Sequence, residues 1–219
     1  DLPHISVKGL HCHIGSQILE KAPFVHAAEV MLQFFAKIRD ELGMTLETLN
    51  LGGGFGIHYT EQDDAIPYED YMEDVSAMVH KNCQDLGLTL PRIYIEPGRS
   101  IVGEAGITLY TVGNIKVIPD VRSYVAIDGG MFDNPRYALY QSAYTCLVAN
   151  KADKPADYVA TIAGKCCESG DLIQEHTPIQ KPEEGDILAV LSTGAYNYSM
   201  ASNYNRNLKP AVVMVSKGE

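Results

Sequence analysis

Three short stretches in the first half of the chain place chemically useful side chains directly after apolar runs. Ile5 to Cys12 ends in His13-Ile14-Gly15-Ser16-Gln17, Leu46 to Leu51 in Gly52-Gly53-Gly54-Phe55-Gly56, and Arg92 to Ile95 in Glu96-Pro97-Gly98-Arg99-Ser100. Adjacent glycines let a backbone turn sharply and bring bare N–H groups against a phosphate, although Gly52 to Gly54 also fit a plain flexible turn. The run matches neither a G-x-x-x-x-G-K loop nor a clean G-x-G-x-x-G, so a nucleotide fingerprint is not supported. Ser16 offers a further hydroxyl to a phosphate, and the His13 imidazole is flat enough to stack on an aromatic ring; a histidine satisfied within a tight turn is the alternative. Glu96 and Arg99 could form a simple ion pair across their Pro-Gly turn. They could instead present a carboxylate to a ring nitrogen and a two-pronged guanidinium to a ligand carboxylate.

The second half carries a different set. In Cys167-Glu168-Ser169-Gly170-Asp171 a cysteine beside an acid can act as a proton donor, while Cys166 reads as a small core residue. Arg136 and Tyr140, four apart, would share one face of a short helix. Gly194-Ala195-Tyr196 opens a stretch with Tyr198, Asn203, Tyr204 and Asn205, a polar-aromatic run suited to the wall of a site.

The elements that must position these groups are legible in the periodicity. Phe24, Ala28, Met31, Phe35, Ile38 and Leu42 form one apolar helical face within residues 22–42, and Gly43 sits where a C-terminal cap belongs. Met72, Val75, Val79 and Leu86, followed by Gly87, repeat the pattern over residues 68–86. The order is strand–helix–strand–helix–strand, which means parallel strands joined by right-handed crossovers, and ligand chemistry gathers at the C-terminal ends of such strands. Three strands do not close a barrel, since a (β/α)₈ barrel takes eight over about 250 residues. A start at Asp1-Leu2-Pro3-His4 favours a piece of such a barrel over a small open sheet. After Gly103 the texture changes to strand-like segments at 107–117, 123–127, 158–163, 187–191 and 211–215, with a polar loop over 149–157. The expected division is residues 1–103 as α/β and residues 104–219 as a mostly β domain.

Composition narrows the partners. Of 219 residues, 17 are basic and 28 acidic, for a formal net charge of −11, and the basic residues form no cluster. That argues against nucleic acid and anionic membrane. Cys12, Cys83, Cys146, Cys166 and Cys167 are odd in number, irregularly spaced and contain no Cys-x-x-Cys, which argues against a disulfide framework or metal site and for a reducing cytoplasm. No apolar run approaches the length of a membrane span and no signal peptide is visible.

Taken together, the motifs resemble the diaminopimelate decarboxylases, pyridoxal-phosphate enzymes of the alanine-racemase-like fold type. His13 to Gln17, Gly52 to Gly54, Glu96 to Arg99, Cys167 to Asp171 and Gly194 to Tyr196 follow the family's order. The glycine run and Glu-Pro-Gly-Arg also occur in ornithine and arginine decarboxylases of the same fold; Cys-Glu-Ser-Gly-Asp is the more discriminating signature. Tyr137 stands where the family often has proline.

The resemblance implies the last three strands of a pyridoxal-phosphate-binding (β/α)₈ barrel, followed by a β-sandwich or Greek-key-like domain. It implies that His13 stacks on the ring, that Glu96 meets the ring nitrogen, and that Ser16, Gly53, Gly54, Gly98, Arg99 and Tyr196 hold the phosphate. By the same resemblance Arg99, Arg136 and Tyr140 grip a distal carboxylate, with Tyr196 beside them, and Glu168 meets a distal ammonium. Cys167 then serves proton transfer, in the active site of the partner subunit of a homodimer. The reaction implied is conversion of meso-2,6-diaminopimelate to L-lysine and CO₂. A related decarboxylase of ornithine or arginine type is the nearest alternative, and a non-catalytic phosphate-binding module is the alternative from another class. The latter follows because the family's anchoring lysine precedes the His-Ile-Gly-Ser-Gln motif, and neither Lys8 nor Lys165 matches its position.

Overall fold

The computed structural model describes residues 3–218 and divides them into two compact units. The first comprises the residues up to His58 together with Gln62–Ile101; the second comprises Tyr59–Glu61 and the residues from Val102 onward.

The first unit runs β1 (Gly9–His11), α1 (Ala22–Leu42), β2 (Thr48–Asn50), α2 (Tyr68–Leu86) and β3 (Arg92–Tyr94), and α3 (Arg99–Val102) begins at its end. The strands are parallel in the order β1-β2-β3. Leu10, Leu49 and Ile93 are register partners, as are His11, Asn50 and Tyr94. Because side chains alternate across a strand, the first row packs with the helices and the second lies on the opposite face. The pairing outlasts the strands: Cys12 N–H donates to Asn50 O, Leu51 N–H to Tyr94 O, and Glu96 N–H to Gly52 O. β1 is shorter than the apolar run from Ile5 suggests; Ile5 and Val7 are exposed and lie outside it.

Both helices occupy the spans their periodicity dictates, and each ends at a left-handed glycine, Gly43 and Gly87. The buried face of α1 is Phe24, Ala28, Leu32, Phe35 and Ala36, so Leu42, counted in the apolar stripe, is instead exposed in the last turn. Polar ties fix the helix pair at both ends. Lys21 meets Asp74 at 2.8 Å, and Arg39 donates to Leu86 O and Gly87 O at 2.7 and 3.0 Å, satisfying carbonyls at the end of α2.

An aromatic cluster sits between helices and turns. Phe24 stacks on Phe55 at 4.7 Å, and Tyr71 meets the edges of both at 5.1 and 5.2 Å. Tyr68 meets Phe55 edge-on at 5.2 Å. Phe55 belongs to the glycine turn, so this packing holds a loop as well as a core.

The second unit carries β4 (Thr108–Ile118), β5 (Arg122–Ile127), α4 (Arg136–Tyr140), β6 (Cys146–Val148), β7 (Tyr158–Ala163), β8 (Leu172–Ile179), β9 (Ile187–Val190) and α5 (Asn197–Met200). They form one six-stranded sheet in the order β6-β9-β4-β5-β7-β8. β4 serves both halves: Thr108–Thr111 pair with β9, and Val112 and, beyond an irregularity, Ile115 to Ile118 pair with β5. The sheet curls until its edges β6 and β8 lie side by side. Side-chain amides take the place of ladder bonds near that seam: Tyr144 N–H donates to Gln174 Oε1 and Val148 N–H to Gln180 Oε1, at 3.0 and 2.8 Å. The second unit is thus a nearly closed six-stranded barrel, and the sandwich form of the expected β-sandwich or Greek-key-like domain is not what its strands build.

Two further strand readings are corrected. β8 carries Gln174, Glu175, His176 and Pro178, a composition that hides it; as the terminal strand it tolerates proline and charge. Residues 211–215 enter no sheet among the described residues, and Val212, Val213, Met214 and Val215 are exposed. β-Branched composition gives a strand only where a partner edge is available.

Phe55→Ala should destabilise the first unit by about 3–5 kcal/mol, the range for emptying a buried aromatic site. A urea midpoint unchanged from the parent chain would show that the aromatic cluster is not a structural anchor.

Candidate active site

Each of the three turns is tied down by side chains from α2 or from another turn. Tyr71 donates its hydroxyl to Ile18 O at 2.9 Å, just after the His13–Gln17 turn, and Tyr68 donates to Ser100 Oγ in the third. Gln17, at φ +58°, grips Ile57 with both ends of its amide, donating to the carbonyl at 2.6 Å and accepting the N–H at 3.2 Å. Ile18 and Phe55 form a parallel bridge through Ile18 N–H to Gly54 O and Gly56 N–H to Ile18 O.

The glycines are required by this closeness. Gly54 adopts φ +101°, and a Cβ there would stand 2.5 Å from Gly15 O; a Cβ on Gly53 would strike Glu96 O. The turn therefore presents bare backbone beside the other two turns.

Of the expected residues, His13, Ser16, Gly53, Gly54, Glu96, Gly98 and Arg99 belong to the first unit. His13 Nδ1 accepts the Gly53 N–H at 3.3 Å, which places the ring proton on Nε2 if the imidazole is neutral. Arg99 donates to Ser16 Oγ at 2.7 Å. Glu96 accepts from Asn50 Nδ2 at 2.7 Å and approaches His11 Nε2 at 3.4 Å. Glu96 and Arg99 are thereby directed to different neighbours. His11 and Asn50 are additions that motif reading missed. The signal for them was available: both sit on the face opposite the core, His11 one alternation before His13 and Asn50 one before Gly52.

The remaining expected residues, Arg136, Tyr140, Cys167, Glu168 and Tyr196, belong to the second unit. The Arg136 guanidinium lies 3.5 Å from the centre of the Tyr59 ring and 5.2 Å from that of Tyr144, and those two rings meet edge-on at 5.5 Å. Aromatic faces hold a guanidinium without neutralising it. Tyr137, the departure noted above, anchors the same helix by donating to Glu175 Oε2 of β8 at 2.7 Å. Burial and the Glu175 charge push its phenol up to about 12. Tyr140 is exposed, and Tyr196 is half-exposed at φ +70°, a conformation costly for a bulky residue and concentrated at functional sites.

The Cys167 turn is held from beneath by Asp171, whose carboxylate is buried and accepts the N–H groups of Met131 and Cys166. From the other side Asn205 Oδ1 accepts the Cys167 N–H at 2.9 Å, and Tyr204 reaches Glu168 Oε2 at 3.5 Å. The polar-aromatic run therefore props up the Cys-Glu turn. Cys167 is exposed, whereas burial and the Asp171 charge raise the Cys166 thiol and keep it protonated. Next to Asp171, Asp133 is buried and accepts the Tyr110 hydroxyl at 2.7 Å; burial raises its carboxyl to about 6.

Residues 1–103 match the family model described as "Pyridoxal-dependent decarboxylase, pyridoxal binding domain". The chain is 52% identical over 216 residues to the diaminopimelate decarboxylase of Bacillus subtilis (strain 168), covering 99% of this chain and 49% of that protein. It is 49% identical to the Staphylococcus aureus (strain COL) protein of the same name, covering 99% of this chain and 50% of that one. Among solved structures, the diaminopimelate decarboxylase of M. jannaschii in complex with L-lysine superposes with a TM-score of 0.87 at 36% identity, over 96% of this chain and 47% of that chain. The chain spans about half the length of the curated relatives it matches.

A carboxyl whose folded value lies above its unfolded one stabilises the fold while protonated. Asp133 should therefore contribute below about pH 4 and lose that contribution as pH rises through about 6. Asp133→Asn should flatten the decline in melting temperature over this window. An identical pH profile in the variant would contradict the assignment.

Proposed function

We propose that this chain, which belongs to the pyridoxal-dependent decarboxylases, supplies ring, phosphate and substrate contacts for decarboxylation of meso-2,6-diaminopimelate to L-lysine. The observation that carries the reading is one gathering at the C-terminal ends of three adjacent parallel strands: His13, the bare turn at Gly53 and Gly54, Glu96, and Arg99 on Ser16. The donor set fits a flat phosphorylated pyridine. Bare backbone and a hydroxyl suit a phosphate, an imidazole suits a ring face, and a carboxylate suits a protonated ring nitrogen. Residues 1–103 would form the cofactor-binding part of a barrel, and residues 104–219 the domain carrying substrate and partner-subunit residues.

When bound, pyridoxal phosphate would supply an electron sink for the charge left by departing CO₂. Around it, Ser16, Gly53, Gly54, Gly98, Arg99 and Tyr196 would hold the phosphate and His13 would cover the ring face. Glu96 would hold the proton on the ring nitrogen. Arg136 and Tyr140, with Arg99 and Tyr196, would orient the distal carboxylate, and Glu168 the distal ammonium. Cys167 Sγ–H would deliver a proton to the α-carbon after CO₂ leaves, and its thiolate would recover the proton from solvent or from the next substrate. The exposed Cys167 turn suits service in a partner subunit's site, so a homodimer in a reducing cytoplasm is the working assembly. No helix among the described residues is long and apolar enough to cross a membrane.

Two measurements separate the alternatives. In a polypeptide of the relatives' full length, diaminopimelate should be decarboxylated in preference to ornithine, arginine and lysine; preference for ornithine or arginine would favour the related enzymes. There, Cys167→Ala should lower turnover by about 10²-fold or more while leaving cofactor affinity within a few-fold. Unchanged turnover would remove Cys167 from proton transfer. The 219-residue chain alone, treated with pyridoxal phosphate and borohydride, should give no stoichiometric lysine adduct; a single clean adduct on Lys8 or Lys165 would contradict this.

A further inference from the structure

Glu96, just after β3, is met by side chains from both other strands of the sheet, Asn50 of β2 and His11 of β1, neither of which belongs to the cofactor contacts proposed above. Asn50, the last residue of β2, donates from Nδ2 to Glu96 Oε1 at 2.7 Å and accepts the Gly52 N–H on Oδ1 at 2.8 Å. The second bond fixes the amide's orientation, since only its oxygen can accept from a backbone N–H, and so the NH₂ end must face Glu96. On β1 the register partner of Asn50 is His11, whose Nε2 stands 3.4 Å from Glu96 Oε2. Each oxygen of the carboxylate thus has its own neighbour. Glu96 is also tied through its backbone, its N–H donating to Gly52 O at 2.8 Å.

We propose that Asn50 is a positioning residue that couples the two ends of the cofactor cradle, setting the Gly52–Gly54 turn and aiming the Glu96 carboxylate with one short side chain; this rests on the pyridoxal-phosphate reading of the same site. The chemistry explains why an amide suits the place. A lysine or arginine at position 50 would also hold Glu96, but its charge would compete with a protonated ring nitrogen for the carboxylate. A neutral NH₂ donor orients the oxygen and leaves its negative charge available to the ring. Because Asn50 is short and bonded at both ends, a shift of the glycine turn and a rotation of the carboxylate are linked. The acceptor is then oriented before the ligand arrives.

The test uses 4′-deoxypyridoxine 5′-phosphate, which keeps the ring nitrogen and phosphate but has no aldehyde to form lysine adducts. Its ultraviolet spectrum, followed through a pH titration on the whole chain, reads both affinity and protonation of the bound ring nitrogen. Glu96→Gln should lower the apparent pKa of the bound nitrogen. Asn50→Ala should lower it in the same direction by about one unit and weaken binding about tenfold. In a Glu96→Gln background, Asn50→Ala should give no further change in the nitrogen's pKa while still weakening binding. Asn50→Ser guards against a disturbed turn, because its hydroxyl can accept from Gly52 but is too short to reach Glu96; it should keep the pKa effect with less loss of affinity. If Glu96→Gln lowers the nitrogen's pKa and neither Asn50 variant does, the coupling role is wrong and the cofactor reading stands. If the unsubstituted chain fails to bind the ligand saturably, or Glu96→Gln leaves the nitrogen unaffected, the cofactor reading fails and this inference fails with it.

Discussion

The first unit depends on one patch of aromatic packing. Phe24 on α1, Phe55 in the glycine turn, and Tyr68 and Tyr71 on α2 meet ring to ring. From that patch all three turns are held: Phe55 is itself part of the second, the Tyr71 hydroxyl donates to Ile18 O beside the first, and the Tyr68 hydroxyl donates to Ser100 Oγ in the third. Aromatic rings suit this task because they bury a large area while a tyrosine keeps a polar tip for a loop. A glycine-rich turn has no side chains of its own with which to resist motion, and burial of Phe55 supplies that resistance. The Gln17 grip on Ile57 and the Asn50 link between Gly52 and Glu96 then set the turns against each other.

The second unit meets the same requirement with polar groups. Asp171 lies buried under the Cys167 turn and takes backbone N–H groups from Met131 and Cys166, so one carboxylate joins two loops. Tyr137 and Glu175 fasten the short helix bearing Arg136 and Tyr140 to β8. Gln174 and Gln180 bridge the seam of the curled sheet where no ladder runs. These groups can be buried because each is hydrogen-bonded, and losing a partner would leave an unsatisfied polar atom in the interior.

Much of this was legible from residue types alone, for identifiable reasons. The two long helices announced themselves because a stripe of apolar residues at steps of three and four has one geometric meaning, and each ended at a glycine. The turns were legible because His, Ser, Gly, Glu and Arg directly after short apolar runs are poor core residues. Asn50 and His11 escaped notice because they lie within strands, where a polar residue reads as the solvent side of an alternation. β8 was hidden by Pro178 and its charged neighbours, which an edge strand accepts. The exposed run at 211–215 misled in the opposite direction, since propensity specifies a conformation but not an edge to pair with. The curl that brings β6 beside β8 rests on contacts distant in sequence, which local pattern cannot report.

The central claim is that three separately encoded turns form one cradle for a phosphorylated ring. Titration of the ¹⁵N-labelled chain with pyridoxal 5′-phosphate, followed by the backbone amides of Gly15, Ser16, Gly53, Gly54, Gly98 and Arg99, addresses it most directly. The account predicts that these amides shift together and saturate with one dissociation constant. Shifts confined to one turn, or turns that saturate independently, would contradict it.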